Sequence, residues 1–484
     1  MGISLRRHPS RDGAGTEAGR MPTMRRAAAA VAAVHVMAAA PAAAHTAERG
    51  FVLLLPTQYY LAGGGVAVAA TFAVLLLLPG RLLERLFAPV LALPRAPRPW
   101  RLAASTASFL LLPFLLYAGV AGTRDPLMNP LPLAVWTVFW VGLTLAHAVI
   151  GGLWSWLNPW HAPCRLVCRL ARRDADLPPF ALPERIGCLP AIAWLAAFAW
   201  FELVDLAPDD PERLARVVAV YWAATFAGVM LFGEERWLGR GECFGVLFGF
   251  ISRLAPVGRS LLTVPGRRAI DEPAPDMTGV LFLLLALAAV SFDGLSRTFR
   301  YLGLIGINPL EFPGRSAVML ENSLGLAAMF VVMMACYLGA VGLGARMAGA
   351  ERPLAAAGPL VLSLLPISLA YHFSHYLTVA LVNFQYVLAA ASDPLGTEAD
   401  LLGLGDFHVT TSFLNDHRAV EAIWNAQAGA IVLAHVWAVV LAHAVALRHY
   451  GDPRLAARSQ APLAALMVGY TVFGLWLLST PTGL

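Results

Sequence analysis

The residues of this chain with the capacity for chemistry are histidines and carboxylates set inside apolar runs. One run carries Tyr371-His372-Phe373-Ser374-His375-Tyr376, where the two histidines are three apart and share a helix face. A second run holds His435 and His443, a third His147, and two more close on Glu202 with Asp205 and on Asp293. Glu202 and Asp205, also three apart, fall on one face of a helix that includes both. At 1.5 Å per residue, His147, His372 and His435 sit about 15–20 Å from the same end of their runs. His375, Glu202 and Asp293 sit about 20–25 Å from it, so five runs contribute to one slab. Imidazoles and carboxylates at a common depth suit a buried metal site, a proton or ion pathway, or haem held by histidines on facing helices. The plainer alternative is that each imidazole bonds a nearby carbonyl or hydroxyl and ties helices together. His443 lies nearer that same end and stands apart.

Two further groups have ligand character. His45 becomes the N-terminal residue if a leader is cleaved before it, and would offer an amine and an imidazole to copper. His161, Cys164 and Cys168 could hold zinc, but a proline inside the spacing and no second ligand cluster favour an amphipathic helix with reduced thiols.

These residues need a scaffold, and the composition indicates which kind. Of 484 residues, 58% are hydrophobic and 13% charged, about half the charge of a soluble domain. The chain therefore reads as all-α, a polytopic membrane protein. Ten apolar runs recur, at about 57–79, 102–121, 132–156, 188–206, 214–232, 277–294, 322–344, 358–390, 424–447 and 461–479. The eighth is too long for a simple perpendicular crossing and invites a kink at Pro366, a tilt or an extension. All 35 basic residues are arginine, which removes lysine chemistry such as Schiff bases and phosphate-loop lysines. The arginines gather in 80–101, 157–187, 233–276, 346–352 and 448–458, all on one side of a ten-span chain, while acidic stretches occupy the other. The positive-inside rule makes the arginine side cytoplasmic and places both mature termini outside. Five cysteines, an odd number away from outer loops, argue against a disulfide framework. The basic balance is not a nucleic-acid footprint, because it sits in short loops.

Residues 1–44 read as a leader and cleavable signal peptide, with Met24-Arg25-Arg26, an apolar stretch and Ala42/Ala44 before His45. Residues 45–484 form one membrane domain. It carries an interfacial or re-entrant segment near 243–256 and an outer loop at 392–423 with Asp400, Asp406, His408, Asp416 and His417.

Several stretches resemble the bacterial multispanning membrane proteins known as fenitrothion hydrolase. They are Gly152-Leu153-Trp154-Ser155-Trp156-Leu157-Asn158-Pro159-Trp160, Leu231 to Trp237, Ser291-Phe292-Asp293-Gly294, the His372/His375 segment, Ser392 to Gly396 and His435 to His443. The resemblance covers most of the chain from about residue 130 and implies hydrolysis of an apolar organophosphate triester in a bacterial inner membrane. A divalent zinc, manganese or copper ion would activate water for that reaction. His372, His375, His435 and Asp293, with His147, would be its ligands, and Glu202 or Asp205 its general base. The longer outer loop around His408 and His417 departs from the family. A transporter or copper-handling protein, with His45 and the outer loop capturing the ion, and a haem-binding redox subunit are the competing expectations. The partners in these readings are the bilayer, an apolar small molecule or metal ion, and a second membrane subunit.

Overall fold

The computed structural model describes residues 57–88, 91–92, 99–257, 261–308, 314–405 and 407–480. The leader, the signal sequence, His45 and Asp406 lie outside the described residues. Among the described residues, ten helices are long and apolar enough to cross a membrane. They are α1 (Thr57–Leu75), α2 (Trp100–Ala121), α3 (Pro130–Ile150), α4 (Glu184–Leu203) and α5 (Pro211–Phe232), followed by α6 (Met277–Ser296), α7 (Arg315–Met347), α8 (Ala357–Ser392), α9 (His417–Tyr450) and α10 (Pro453–Ser479). Each overlaps one of the ten expected runs. Among the described residues, extended structure is limited to a two-residue antiparallel pairing of Leu91–Ala92 with Leu261–Leu262.

Five of the spans start where a short polar side chain caps them. Asn129, Asp210, Asp276, Asp416 and Asp452 each accept a hydrogen bond from a backbone N–H in the first turn of α3, α5, α6, α9 and α10. Pro130, Pro211 and Pro453 supply the pre-set first residue. Pro366 likewise opens a helix rather than kinking one. α8 is two helices, Ala357–Val361 and Leu365–Ser392, joined by the tight turn Leu362–Leu364. With 36 residues in α8 and 34 in α9, each is over 50 Å long by the helical rise, well past a hydrocarbon core of about 30 Å. The two pack along each other, and α9 packs on α10 and α1.

Small residues set the closest approaches. A methyl group built on Gly344 of α7 would sit 1.9 Å from the Ser459 carbonyl of α10, so these backbones touch. The segment 243–256 holds a short helix that is buried along most of its length. In Cys243–Ile251 the side chains of Phe244, Leu247, Phe248, Phe250 and Ile251 are all buried in the main core, packed with α3, α4 and α8. In α3, Leu133–Leu143 winds as a π-helix, a rare geometry that often accompanies functional sites. It carries Trp136, Phe139 and Trp140.

Candidate functional site

Four spans meet around the hydroxyl of Tyr376. It donates to Glu202 Oε1 of α4 at 2.6 Å and lies 3.4 Å from Asp293 Oδ2 of α6. The Trp140 indole N–H of α3 donates to the same oxygen at 3.1 Å. One hydroxyl hydrogen serves one carboxylate at a time, so Tyr376 can face either. Asp293 has two further partners: His375 Nε2 lies 2.6 Å from the same Oδ2, and the Arg297 guanidinium 3.0 Å from Oδ1. Arg297 follows Asp293 by one helical turn, just past the end of α6. His372 completes the wall. Its Nε2–H donates to the Trp140 carbonyl at 3.0 Å, and its ring packs against Trp140 and Tyr376.

The geometry follows from the spans. Glu202 is one residue from the end of α4 and Asp293 three from the end of α6, so both stand at the end of the molecule opposite the arginine-rich loops. Asp293 is 2% exposed and is held entirely by side chains. Glu202, Asp293, His372 and Tyr376 line a cavity of about 60 Å³, together with Thr144, Ser368 and apolar residues. That volume is room for a few water molecules.

The other expected members lie elsewhere. His435 faces Tyr371 and Tyr470, while His372, one residue on from Tyr371, faces α3; the body of α8 stands between them. His435 donates from Nδ1 to the Ile431 carbonyl at 2.7 Å, and its buried Nε2 has no hydrogen-bond partner among the described residues. His147 is saturated by backbone. Nε2 accepts the Trp154 N–H at 2.8 Å and Nδ1 donates to the Leu143 carbonyl at 2.6 Å, leaving no lone pair for a metal. His443 is a helix tie to Gln460 of α10. Asp205 parts from Glu202 because the helix ends at Leu203, which voids the three-residue spacing. Its carboxylate instead binds Arg213 at 2.5 Å and caps the Ala207 N–H. The single metal centre joining His147, His372, His375, His435 and Asp293 is therefore not assembled. Among the described residues, no group of three or more His, Cys, Asp or Glu is placed to hold a metal ion.

His161 and the two nearby cysteines also find structural partners. His161 Nδ1 pairs with Glu234 at 2.7 Å, and Arg101 reaches the other Glu234 oxygen at 2.5 Å. Burial works to raise the Glu234 carboxyl, but the His161 hydrogen bond and the Arg101 charge outweigh it and hold the group below its usual value. Burial and the neighbouring Cys168 push the Cys164 thiol up, which opposes the thiolate that zinc requires. In the outer loop, Asp393 and Asp400 serve the backbone, accepting from Thr397 and Glu398, and from Leu404 and Gly405.

Two members of the site, Tyr376 and Arg297, were signalled in sequence only by position, next to His375 and one turn after Asp293. A second buried carboxylate, Glu242, had no signal at all. It is fully buried and caps Cys243–Ile251, accepting from the Phe244 and Gly245 N–H groups, the Trp154 indole and the Tyr221 hydroxyl. No protein-family model, no curated protein and no solved structure matches the chain.

Proposed function

We propose that this protein is a proton-linked membrane transporter whose proton-exchange site is Glu202–Tyr376–Asp293–His375. The observation that carries the reading is the Tyr376 hydroxyl between carboxylates from two different spans. Intramembrane carboxylates and imidazoles that bond one another mark proton relays. A phenol that donates to one carboxylate and can rotate to the other passes a proton by exchanging its own hydrogen. The cavity of about 60 Å³ supplies water on one side, and His375 and Arg297 compensate the Asp293 charge on the other. With the arginine-rich loops cytoplasmic, the carboxylates lie toward the outer side of a bacterial cytoplasmic membrane.

A second reading is a hydrolase of apolar triesters, as the family resemblance implies. It is supported by the His375–Asp293 pair, which has the geometry of a base held by its orienting carboxylate. The cavity beside it is far smaller than the roughly 300 Å³ at which pockets for such molecules begin, which favours the transporter.

The test is infrared difference spectroscopy on bilayer-reconstituted protein between pH 5 and pH 8, with proton flux into vesicles under an imposed potential. A carboxyl C=O band that shifts in Tyr376→Phe and disappears in Glu202→Gln or Asp293→Asn, with slowed flux, is expected. Identical bands and flux in all variants would overturn the proposal. Triester turnover in detergent, without a gradient and lost in His375→Ala, would put the hydrolase first.

A further inference from the structure

The cavity beside Glu202 and Asp293 is long and narrow. Its lining runs along α6 from Leu283 to Asp293 and along α8 from Leu365 to Tyr376, about 15 Å in each by the helical rise. A volume of about 60 Å³, drawn out over that length, admits water one molecule wide. Glu202, Asp293 and Tyr376 stand at its outer end, and Ile251, Leu283 and Leu365 wall the inner end.

Most of the wall is apolar, but one face of α8 is not. Ser368, His372 and Tyr376 follow at intervals of four within the unbroken helix Leu365–Ser392. They form a stripe about 12 Å long, and all three line the cavity. Tyr376 is engaged by Glu202 and Trp140. The other two are incompletely served. His372 donates from Nε2 to the Trp140 carbonyl, which leaves Nδ1 of the neutral ring as an acceptor with no partner among the described residues. The Ser368 hydroxyl makes no hydrogen bond among the described residues. Thr144, across the cavity, and Ser291 of α6 each return theirs to the carbonyl one turn back. Neither the Ser368 oxygen nor His372 Nδ1 is sealed among packed side chains as His435 Nε2 is. A hydroxyl and an imidazole nitrogen left unmet on the wall of a narrow cavity are the partners that an enclosed water requires.

We propose that this stripe carries the inward leg of the proton path: a single file of water from Tyr376 to Ser368, with Ser368 as a relay and His372 positioning the file. The inference rests on the proton-exchange reading and adds its connection toward the arginine-rich side. The Ser368 hydroxyl accepts a hydrogen from the water on one side as it gives its own to the water on the other. One O–H bond forms as one breaks, and the serine is unchanged. His372 Nδ1 accepts from a water and keeps its protonation state, because its Nε2–H stays on the Trp140 carbonyl. Leu283 and Leu365 end the file below Ser368.

The experiment is infrared difference spectroscopy on the full chain in bilayers, in ordinary and in heavy-oxygen water, beside proton flux into vesicles. In wild type a pH step should move O–H stretching bands that shift in heavy-oxygen water, the signature of enclosed water. Ser368→Val removes the hydroxyl and fills its space. It should lose these bands and slow flux about ten-fold, the equivalent of one hydrogen bond deleted from the path. The carboxyl C=O band should still respond to pH in this variant, which shows the fold and the exchange site intact. Ser368→Thr should restore both bands and flux, and His372→Phe should displace the water bands. A carboxyl band that responds to pH, with flux and water bands unchanged in Ser368→Val, would overturn the water file and leave the exchange site standing. Absence of isotope-sensitive bands in wild type would overturn it without any variant. A wild-type carboxyl band indifferent to pH would overturn both readings.

Discussion

The molecule contains the same three residue types, a carboxylate, a histidine and an arginine, in two places. At the arginine-rich end Glu234 pairs with His161 at 2.7 Å and Arg101 at 2.5 Å. At the other end Asp293 pairs with His375 at 2.6 Å and Arg297 at 3.0 Å. The first set is closed, for each charge answers another and its His161 backbone N–H is fixed by Asn158. The second is open. Asp293 has a further neighbour in Tyr376, which leads to a second carboxylate and a water-sized cavity. Residue type alone does not distinguish a tie from a site. What distinguishes them is whether a mobile proton has somewhere to go. Glu242 marks the limiting case, a buried carboxylate answered by two backbone amides, an indole and a phenol, with no other titratable carboxylate among those partners.

That contrast can be broken by mutation, and the severest test is Glu242→Ala. It strands four donors, each costing about 1–3 kcal/mol when orphaned. A loss of several kcal/mol is expected, read as a melting midpoint lowered by on the order of 10 °C in detergent. An unchanged midpoint would remove Glu242 from the architectural class. Next comes Asp293→Asn, expected to slow proton flux about 100-fold while moving the melting midpoint by no more than a few degrees. If stability falls and flux does not, the open set is a tie after all.

Glu234→Gln should cost about 2 kcal/mol at neutral pH, the scale of hydrogen bonds to charged groups, and leave flux unchanged. Its pH dependence has a fixed sign. The folded carboxyl lies below its usual value, so its contribution is full above the unfolded value of about 4.3. It is lost as pH falls through the lowered folded value. Wild type and Glu234→Gln should therefore converge in melting midpoint toward pH 3, and a difference that persists there would sink the assignment. The smallest effect is expected for His147→Phe, which keeps a ring beside Phe248 but leaves the Trp154 N–H unanswered. A cost of about 1–2 kcal/mol without change in flux would confirm it as a tie.

The ten spans were legible in the sequence because hydrophobic length is a one-dimensional property. Glu202, Asp293 and His375 were legible too, since a charge at membrane depth draws notice wherever it stands. Adjacency between spans was not legible. His435 shares its depth with His372 yet lies across α8 from it, because depth carries no information about position in the membrane plane. Asp205 was misplaced for a local reason, a helix that stops at Leu203. Glu242 was invisible because its burial depends on a short helix packed by Phe244, Leu247 and Phe248 into a core formed by distant spans.

The π-wound stretch Leu133–Leu143 carries a consequence for the tolerance of this chain to length changes. A wider turn holds about one residue more than an ordinary helical turn. The third span thus contains spare length, and deleting one residue there can be absorbed by rewinding instead of breaking. Such a rewinding would keep the helix beyond it in phase and turn only the residues inside the window. Trp140 would swing off Tyr376 and its carbonyl off His372. A single-codon deletion in this window should leave a chain that still inserts and folds but has lost the indole contact to Tyr376 and the carbonyl contact to His372 at once, a phenotype no side-chain substitution at Trp140 would reproduce.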